Sequence, residues 1–202
     1  MATRVLTVDP ERPCPDTIDA AAAVLRAGGI VAFPTETFYG LGVATTCEAA
    51  LARIFRVKGR PEDKPLLVLV SSVAMAETVA EVSPSARALM AQHWPGALTL
   101  VVRAHPGVSP LVTAGTASIG IRYSAHRVPS MLVERLGTPV TAPSANRSGE
   151  PPPTTAGEVL AVFDGEIDVV LDGGPTVGGR PSTVLDLTVS PPLVRREGAV
   201  AL

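Results

Sequence analysis

The sequence predicts an α/β fold: a single domain over residues 1–202, built around one large mixed sheet with flanking helices. Three observations carry this reading. Short apolar runs alternate with helix-spaced segments along the whole chain, the pattern of mixed layers and not of separate halves. No linker-like tract or internal repeat divides the 202 residues, a length that suits one large domain or two small ones. The chain is 46% hydrophobic but only 3% aromatic, so a sizeable core would be built from Ala, Val, Leu and Ile.

Taken in order, Arg4–Val8 alternates weakly and reads as an edge strand. Asp16 opens an Ala-rich helix that Gly28-Gly29 closes, following the usual cap asymmetry. Ile30–Phe33 is a short apolar strand ending at Pro34, and Thr35–Gly42 reads as a polar turn. Residues 47–57 return to helical spacing, with Leu51, Ile54 and Phe55 on one face. Leu66–Val70 is an uninterrupted apolar run, as in a buried strand. Ser83-Pro84 starts a helix that runs to about His93. Strands follow at Ala97–Arg103 and Ser118–Tyr123, then a helix near Pro129–Leu136 and a strand at Pro139–Ala142. Thr155 and Glu158 have capping-box spacing before one more helix. Ile167–Leu171, Thr183–Leu187 and Leu193–Arg195 close the series. The pattern leaves strand order open.

Bulk properties exclude several classes. A net charge of -2 argues against a dedicated nucleic-acid binder, which would usually be basic. Cys14 and Cys47 lack metal-ligand spacing and read as free thiols in a reducing compartment. The first residues carry no signal-peptide pattern, and no apolar run reaches the length of a membrane span. The expected setting is cytoplasmic.

Against this acidic background, Lys58-Gly59-Arg60-Pro61-Glu62-Asp63-Lys64-Pro65 places three cations around one turn. Such a loop suits a polyanion, phosphate first; a solvated surface turn is the alternative, since charged turns are common. Four further polar clusters fall at strand ends: Thr35–Thr37, Pro143–Gly149, Arg180–Thr183 and Arg195–Gly198. Small hydroxyl and amide side chains beside glycine supply donors and acceptors without filling space. Each cluster alone is ordinary turn chemistry. Five at strand ends, where α/β folds place ligands, point to a site.

Standard catalytic sets are missing from the sequence. Gly174–Arg180 resembles a P-loop superficially, but its Lys position is Arg180 and its Ser/Thr position is Pro181. His93, His105 and His126 are scattered, without a partner at metal-ligand or triad spacing. The chemistry left to such a site is positioning and charge stabilisation, which is most of what phosphoryl or nucleotidyl transfer asks of a protein.

Several segments together resemble the Sua5/YrdC family, the threonylcarbamoyl-AMP synthases. They are Gly28–Gly42 with its Pro34-Thr35-Glu36-Thr37 core, Lys58-Gly59-Arg60-Pro61 with Lys64-Pro65-Leu66, Trp94-Pro95-Gly96, Ile121-Arg122, Ala142–Gly149 and Ser182-Thr183. They run in family order from about residue 16 to 198. The resemblance implies a twisted α/β sheet with a cationic concave face. It also implies a reaction in which L-threonine, bicarbonate and ATP, accompanied by Mg2+ that no protein metal site holds, give threonylcarbamoyl-AMP and pyrophosphate. The product would serve N6-threonylcarbamoyladenosine formation at position 37 of tRNA, through downstream transfer proteins.

Carried over residue by residue, the resemblance implies a threonine pocket of Thr37, Arg122, Ser144 and Ser182. It implies an ATP side of Lys58, Arg60, Lys64, Ser118, Asn146, Thr154 and Arg196, with Lys58 and Arg60 as the catalytic charge stabilisers. Arg122, with a planar fork, is suited to clamp the amino-acid carboxylate. Two departures stand out: Lys64 lies where many relatives have a neutral residue such as Asn, and Leu69 where some carry a threonine-binding His. The general base stays unassigned. Two rival readings remain: a YrdC-like paralogue of unassigned activity, and an RNA-binding module without this activity, the latter opposed by the low aromatic content.

Overall fold

A computed structural model describes residues 2–202. The elements in chain order are β1 (Arg4–Thr7), α1 (Pro15–Arg26), β2 (Val31–Phe33), β3 (Gly40–Gly42), α2 (Glu48–Lys58) and β4 (Leu67–Leu69). They continue with α3 (Val73–Glu77), α4 (Pro84–His93), β5 (Leu98–Arg103), α5 (Pro110–Thr113), β6 (Ser118–Arg122) and α6 (Arg127–Leu136). The chain then forms β7 (Val140–Thr141), α7 (Ala156–Phe163), β8 (Val169–Asp172), β9 (Thr183–Asp186) and β10 (Leu193–Arg196).

The mixed α/β expectation holds, but the strands form two mixed sheets and not one. The smaller has the order β1-β8-β2-β3; the larger has the order β10-β9-β5-β6-β4-β7. They meet where β3 faces β7, through isolated bridges between Gly40 and Ser144 and between Ala44 and Val140. β3 has three residues and β7 two, too few to extend those bridges into a ladder. β3 was expected to be part of a turn. Its Gly-Leu-Gly sequence has low strand propensity, and it is recruited by antiparallel pairing with β2.

Glycine is required at that junction by space. A Cβ on Gly42 would lie 2.6 Å from the Phe33 ring and 2.7 Å from Val140 Cγ1. β3 therefore packs directly on a ring from its own sheet and on a strand of the other sheet. The helices follow local rules. Gly59 ends α2 in the left-handed conformation, φ 58°, as a C-terminal glycine should. Thr155 and Glu158 form the predicted capping box at α7. α1 begins one residue before Asp16, with Pro15 in its first turn. The short helices α3 and α5 were not anticipated; Ser72 and Ser109 cap them, and neither is long enough to show a helical period.

Two apolar clusters hold the layers. Leu51, Ile54 and Phe55 of α2 are buried as expected, with Leu100, Ile119, Ile121 and Phe163. In the second, α1 and α6 pack together through Ile18, Leu25, Leu132 and Val133, over Phe33, Val169 and Leu171. Among the described residues no helix is long and apolar enough to cross a membrane.

Gly42→Ala is expected to destabilise the fold by about 1–3 kcal/mol through overpacking. Urea unfolding checks this; an unchanged midpoint would show that Phe33 can move aside freely.

Candidate active site

Strand alternation builds the site. Along β6, Ile119 and Ile121 point into the core, so Ser118, Gly120 and Arg122 share the opposite face. That face, with Thr99 and Val101 of β5 and Leu67 of β4, floors a cleft of about 680 Å³. The walls are strand-end segments: Thr35 and Thr37 after β2, Arg60 and Pro65 in the cationic loop, Ser144 after β7, Ser182 before β9, and Arg196 at the end of β10. Its volume is in the range of small-molecule sites.

Arg122 dominates one end. Its side chain is 4% exposed, and Glu36 Oε2 lies 3.6 Å from Nη2. Among the described residues neither Arg122 Nε nor Glu36 Oε1 has a hydrogen-bond partner, although both atoms are buried. Burial pulls the Arg122 guanidinium below its ordinary pKa, while Glu36 opposes the shift. Glu36 Oε2 also accepts a hydrogen bond from Ser124 Oγ.

Arg196 stands across the cleft. It donates from Nε to the Ser182 carbonyl at 3.0 Å and from Nη2 to Ser182 Oγ at 2.9 Å. Ser182 Oγ in turn shares a hydrogen bond with Thr99 Oγ1 at 2.9 Å. Burial and then the charge of Arg122 lower the Arg196 pKa. Arg195 is bonded elsewhere, 2.8 Å from Asp186, at an irregularity in the β9–β10 ladder between Val194 and Arg196. Arg60 donates to the carbonyls of Lys64 and Pro65 at 3.3 and 2.8 Å. Its pKa is lowered by burial and raised by Asp63.

Of the eleven residues expected at the site, Thr37, Arg60, Ser118, Arg122, Ser144, Ser182 and Arg196 line this cleft. The other four lie beside or behind it. Lys58 is 2% exposed and donates from Nζ to the carbonyls of Ser144 and Asn146, each at 2.5 Å. It fastens the Ser144 turn to the end of α2. Burial, together with Arg60 and Arg147, brings its pKa down to about 7. Asn146 donates to the carbonyls of Arg147 and Glu150 at 2.8 and 2.6 Å, leaving Oδ1 buried without a partner among the described residues. Thr154 is held by the Glu158 carboxylate. Lys64 is exposed; its carbonyl accepts from Arg60 and its N–H donates to the Pro61 carbonyl at 3.2 Å.

Thr35 lines the cleft as its strand-end cluster suggested, whereas Thr99 and the Glu36–Ser124 contact were not anticipated as parts of the site. Thr99 sits inside the predicted strand Ala97–Arg103; its signal was a hydroxyl residue at alternate spacing from Val101. Leu69 is buried in the second core cluster, in register with Arg122 on the adjacent strand. Among the described residues no group of three or more His, Cys, Asp or Glu could hold a metal ion. The arrangement offers three guanidinium groups and several hydroxyls to an anionic ligand, with one carboxylate set behind Arg122.

Known proteins share this sequence and architecture. The Sua5/YciO/YrdC family model, described as telomere recombination, matches residues 23–198. The chain is 44% identical over 186 residues to the threonylcarbamoyl-AMP synthase of Pyrococcus abyssi, aligning 92% of its length with 55% of that protein. It is 43% identical over 185 residues to the enzyme of the same name from Bacillus subtilis, covering 91% of this chain and 54% of that protein. The chain therefore spans about half the length of these two relatives. The crystal structure of P. abyssi Sua5 complexed with L-threonine superposes with a TM-score of 0.94 at 43% identity, over 97% of this chain and 58% of that one.

The Lys58 environment makes stability depend on pH. Its folded pKa, about 7, is below the unfolded value of 10.5. Between those values the unfolded chain binds the extra proton, so this group's contribution to stability rises with pH; below about 7 both states are protonated and it is flat. Urea unfolding between pH 7 and 9 should show the protein gaining stability relative to its Lys58→Met variant. Parallel pH profiles would contradict the assignment.

Proposed function

The chain belongs to the Sua5/YciO/YrdC family, and we propose that it converts L-threonine, bicarbonate and ATP into threonylcarbamoyl-AMP and pyrophosphate. The observation that carries this reading is the buried Arg122, whose Nε has no hydrogen-bond partner among the described residues, on the floor of a cleft that also presents Arg60 and Arg196. One guanidinium suits the amino-acid carboxylate as a planar, bidentate partner. The other two suit phosphate oxygens. The resemblance to P. abyssi Sua5, a protein solved with L-threonine, supports placing an amino acid here.

In this reading the threonine amine, having lost a proton, attacks the carbon of CO2 derived from bicarbonate and forms a carbamate. A carbamate oxygen then attacks the α-phosphorus, the bond to the bridging oxygen breaks, and pyrophosphate leaves. Arg122 holds the carboxylate, while the hydroxyls of Thr37, Ser144 and Ser182 orient the amino acid. Arg60, Arg196 and Ser118 face the nucleotide and stabilise charge on the phosphates. Lys58 acts through the turn that it fastens, holding the Ser144 and Asn146 carbonyls and so the Ser144 side chain in place. Asn146, in the turn that Lys58 fastens, and Thr154 complete the nucleotide side, and Lys64 adds long-range positive charge. Mg2+ accompanying ATP would neutralise part of the phosphate charge, alongside Arg60 and Arg196. The reading places the protein in the cytoplasm, handing its product to downstream tRNA threonylcarbamoyl-transfer proteins, with at most weak RNA contact.

Mass spectrometry after incubation with ATP, Mg2+, L-threonine and bicarbonate should detect threonylcarbamoyl-adenylate. Formation should require both L-threonine and bicarbonate; pyrophosphate release that ignores either one would overturn the reading.

Two variants test the division of roles. Arg122→Lys should raise the KM for L-threonine more than that for ATP, because the bidentate fork is lost. Arg60→Ala should slow turnover by about tenfold or more, since a charge-assisted hydrogen bond contributes roughly 1.5–3 kcal/mol. Steady-state kinetics on the folded variants would show the reverse pattern if the two ends were exchanged.

A further inference from the structure

The turn between β2 and β3 divides its side chains. Thr35 and Thr37 face the cleft. Glu36, between them, reaches the other flank of Arg122, where its side chain is 19% exposed. Ser124, at the start of the α6 approach, donates to Glu36 Oε2 and fixes that oxygen 3.6 Å from Arg122 Nη2. The ion pair is incomplete on both sides: Arg122 Nε and Glu36 Oε1 are buried, each without a hydrogen-bond partner among the described residues. A guanidinium and carboxylate meant only to neutralise each other would close into a two-bond fork. Here the pair is left as a dipole, with a positive group on the cleft floor and a negative charge immediately behind it.

We propose that Glu36 is a specificity-determining residue that makes the Arg122 end of the cleft select a zwitterion over a simple carboxylate. It rests on the reading of this end as the amino-acid site. Glu36 holds one edge of the guanidinium and offsets its charge, so a bare carboxylate gains little net attraction. Glu36 lies behind the guanidinium and not among the lining residues of the cleft, so a ligand whose ammonium sits beside its carboxylate meets a nearly neutral pair and escapes the repulsion that an unpaired Arg122 would exert. In a poorly solvated pocket these interactions are screened less than they would be in water. Thr35 and Thr37 keep Glu36 in place, since the Thr35 hydroxyl donates to the Phe38 carbonyl at 2.7 Å and accepts from the Thr37 N–H at 3.1 Å, which pins the turn.

The test is calorimetric binding of three ligands of one carbon chain: L-threonine, 3-hydroxybutyrate (no amine) and threoninol (no carboxylate). The unmodified protein should bind L-threonine at least about tenfold more tightly than either single-charge analogue. In Glu36→Gln, which keeps the shape and the bond from Ser124, the preference over 3-hydroxybutyrate should shrink severalfold or more. In Glu36→Asp, which keeps the charge, it should largely persist. Equal binding of L-threonine and 3-hydroxybutyrate by the unmodified protein, which needs no variant to fold, overturns the proposal while leaving the amino-acid site intact. A preference that survives undiminished in folded Glu36→Gln does the same. If the unmodified protein binds none of the three, the amino-acid reading falls and takes the proposal with it.

Discussion

The burial of Arg122 is the constraint around which the site is arranged. A charged group is expensive to remove from water unless it is paired and hydrogen-bonded. Here the nearest carboxylate is 3.6 Å away and the side chain is 4% exposed, while a second arginine across the cleft adds repulsion. The fold tolerates this because Arg122 ends β6, which is held on one side by β5 and on the other by β4. The β4 ladder reaches Arg122 itself, opposite Leu69, and the β5 ladder reaches Ile121 beside it. What Glu36 leaves unpaired on Arg122 is open to a ligand carboxylate that brings its own counter-charge.

The remaining site residues extend from that strand. Gly120 leaves the floor open beside Arg122; a Cβ there would touch Thr99 Cγ2 at 3.6 Å and Leu67 and Val101 at 4.0 Å. Those contacts are ordinary, so glycine here makes room in the cleft without relieving any clash. At the junction of the two sheets the opposite holds: Gly42 admits no side chain. The bridge between Gly40 and Ser144 then draws the Ser144 turn against the β2–β3 turn, and Lys58 ties the same turn to α2. Three distant segments of sequence converge on one wall for these separate reasons.

Much of this was legible in the sequence, for identifiable reasons. Helices with capping boxes or apolar faces, such as α7 and α2, were read correctly because their signals are local. The strand-end clusters were recognisable because small polar residues beside glycine have few structural uses in combination. The division into two sheets was not legible, since it depends on how far the two-residue β7 extends and on contact between β3 and β7, both long-range matters. Lys58 shows the limit most clearly. Its residue type and place in a cationic loop suggest phosphate, but its buried amine is engaged by two carbonyls of a turn nearly ninety positions away. Thr99 was hidden for the converse reason, being one hydroxyl in an apolar strand whose role emerges only with Ser182 and Arg196 beside it.

The charges also account for how one cleft can serve both halves of the proposed reaction. L-threonine enters as a zwitterion with no net charge, so its arrival leaves the field of Arg60 and Arg196 intact for the nucleotide. Conversion of the amine into a carbamate replaces a positive charge with a negative one, close to Arg122 and facing the phosphate side. In a site of low effective dielectric that change is stabilised by guanidinium groups already in position, without reorganisation of solvent. Ser182 joins the two ends, since its hydroxyl is bonded to both Arg196 and Thr99. A shift of the amino acid against Ser182 would therefore be felt at Arg196. The proposed preference for a neutral ligand at one end and for anions at the other would follow from a single arrangement: one carboxylate placed behind Arg122 and, among the described residues, none bonded to Arg196.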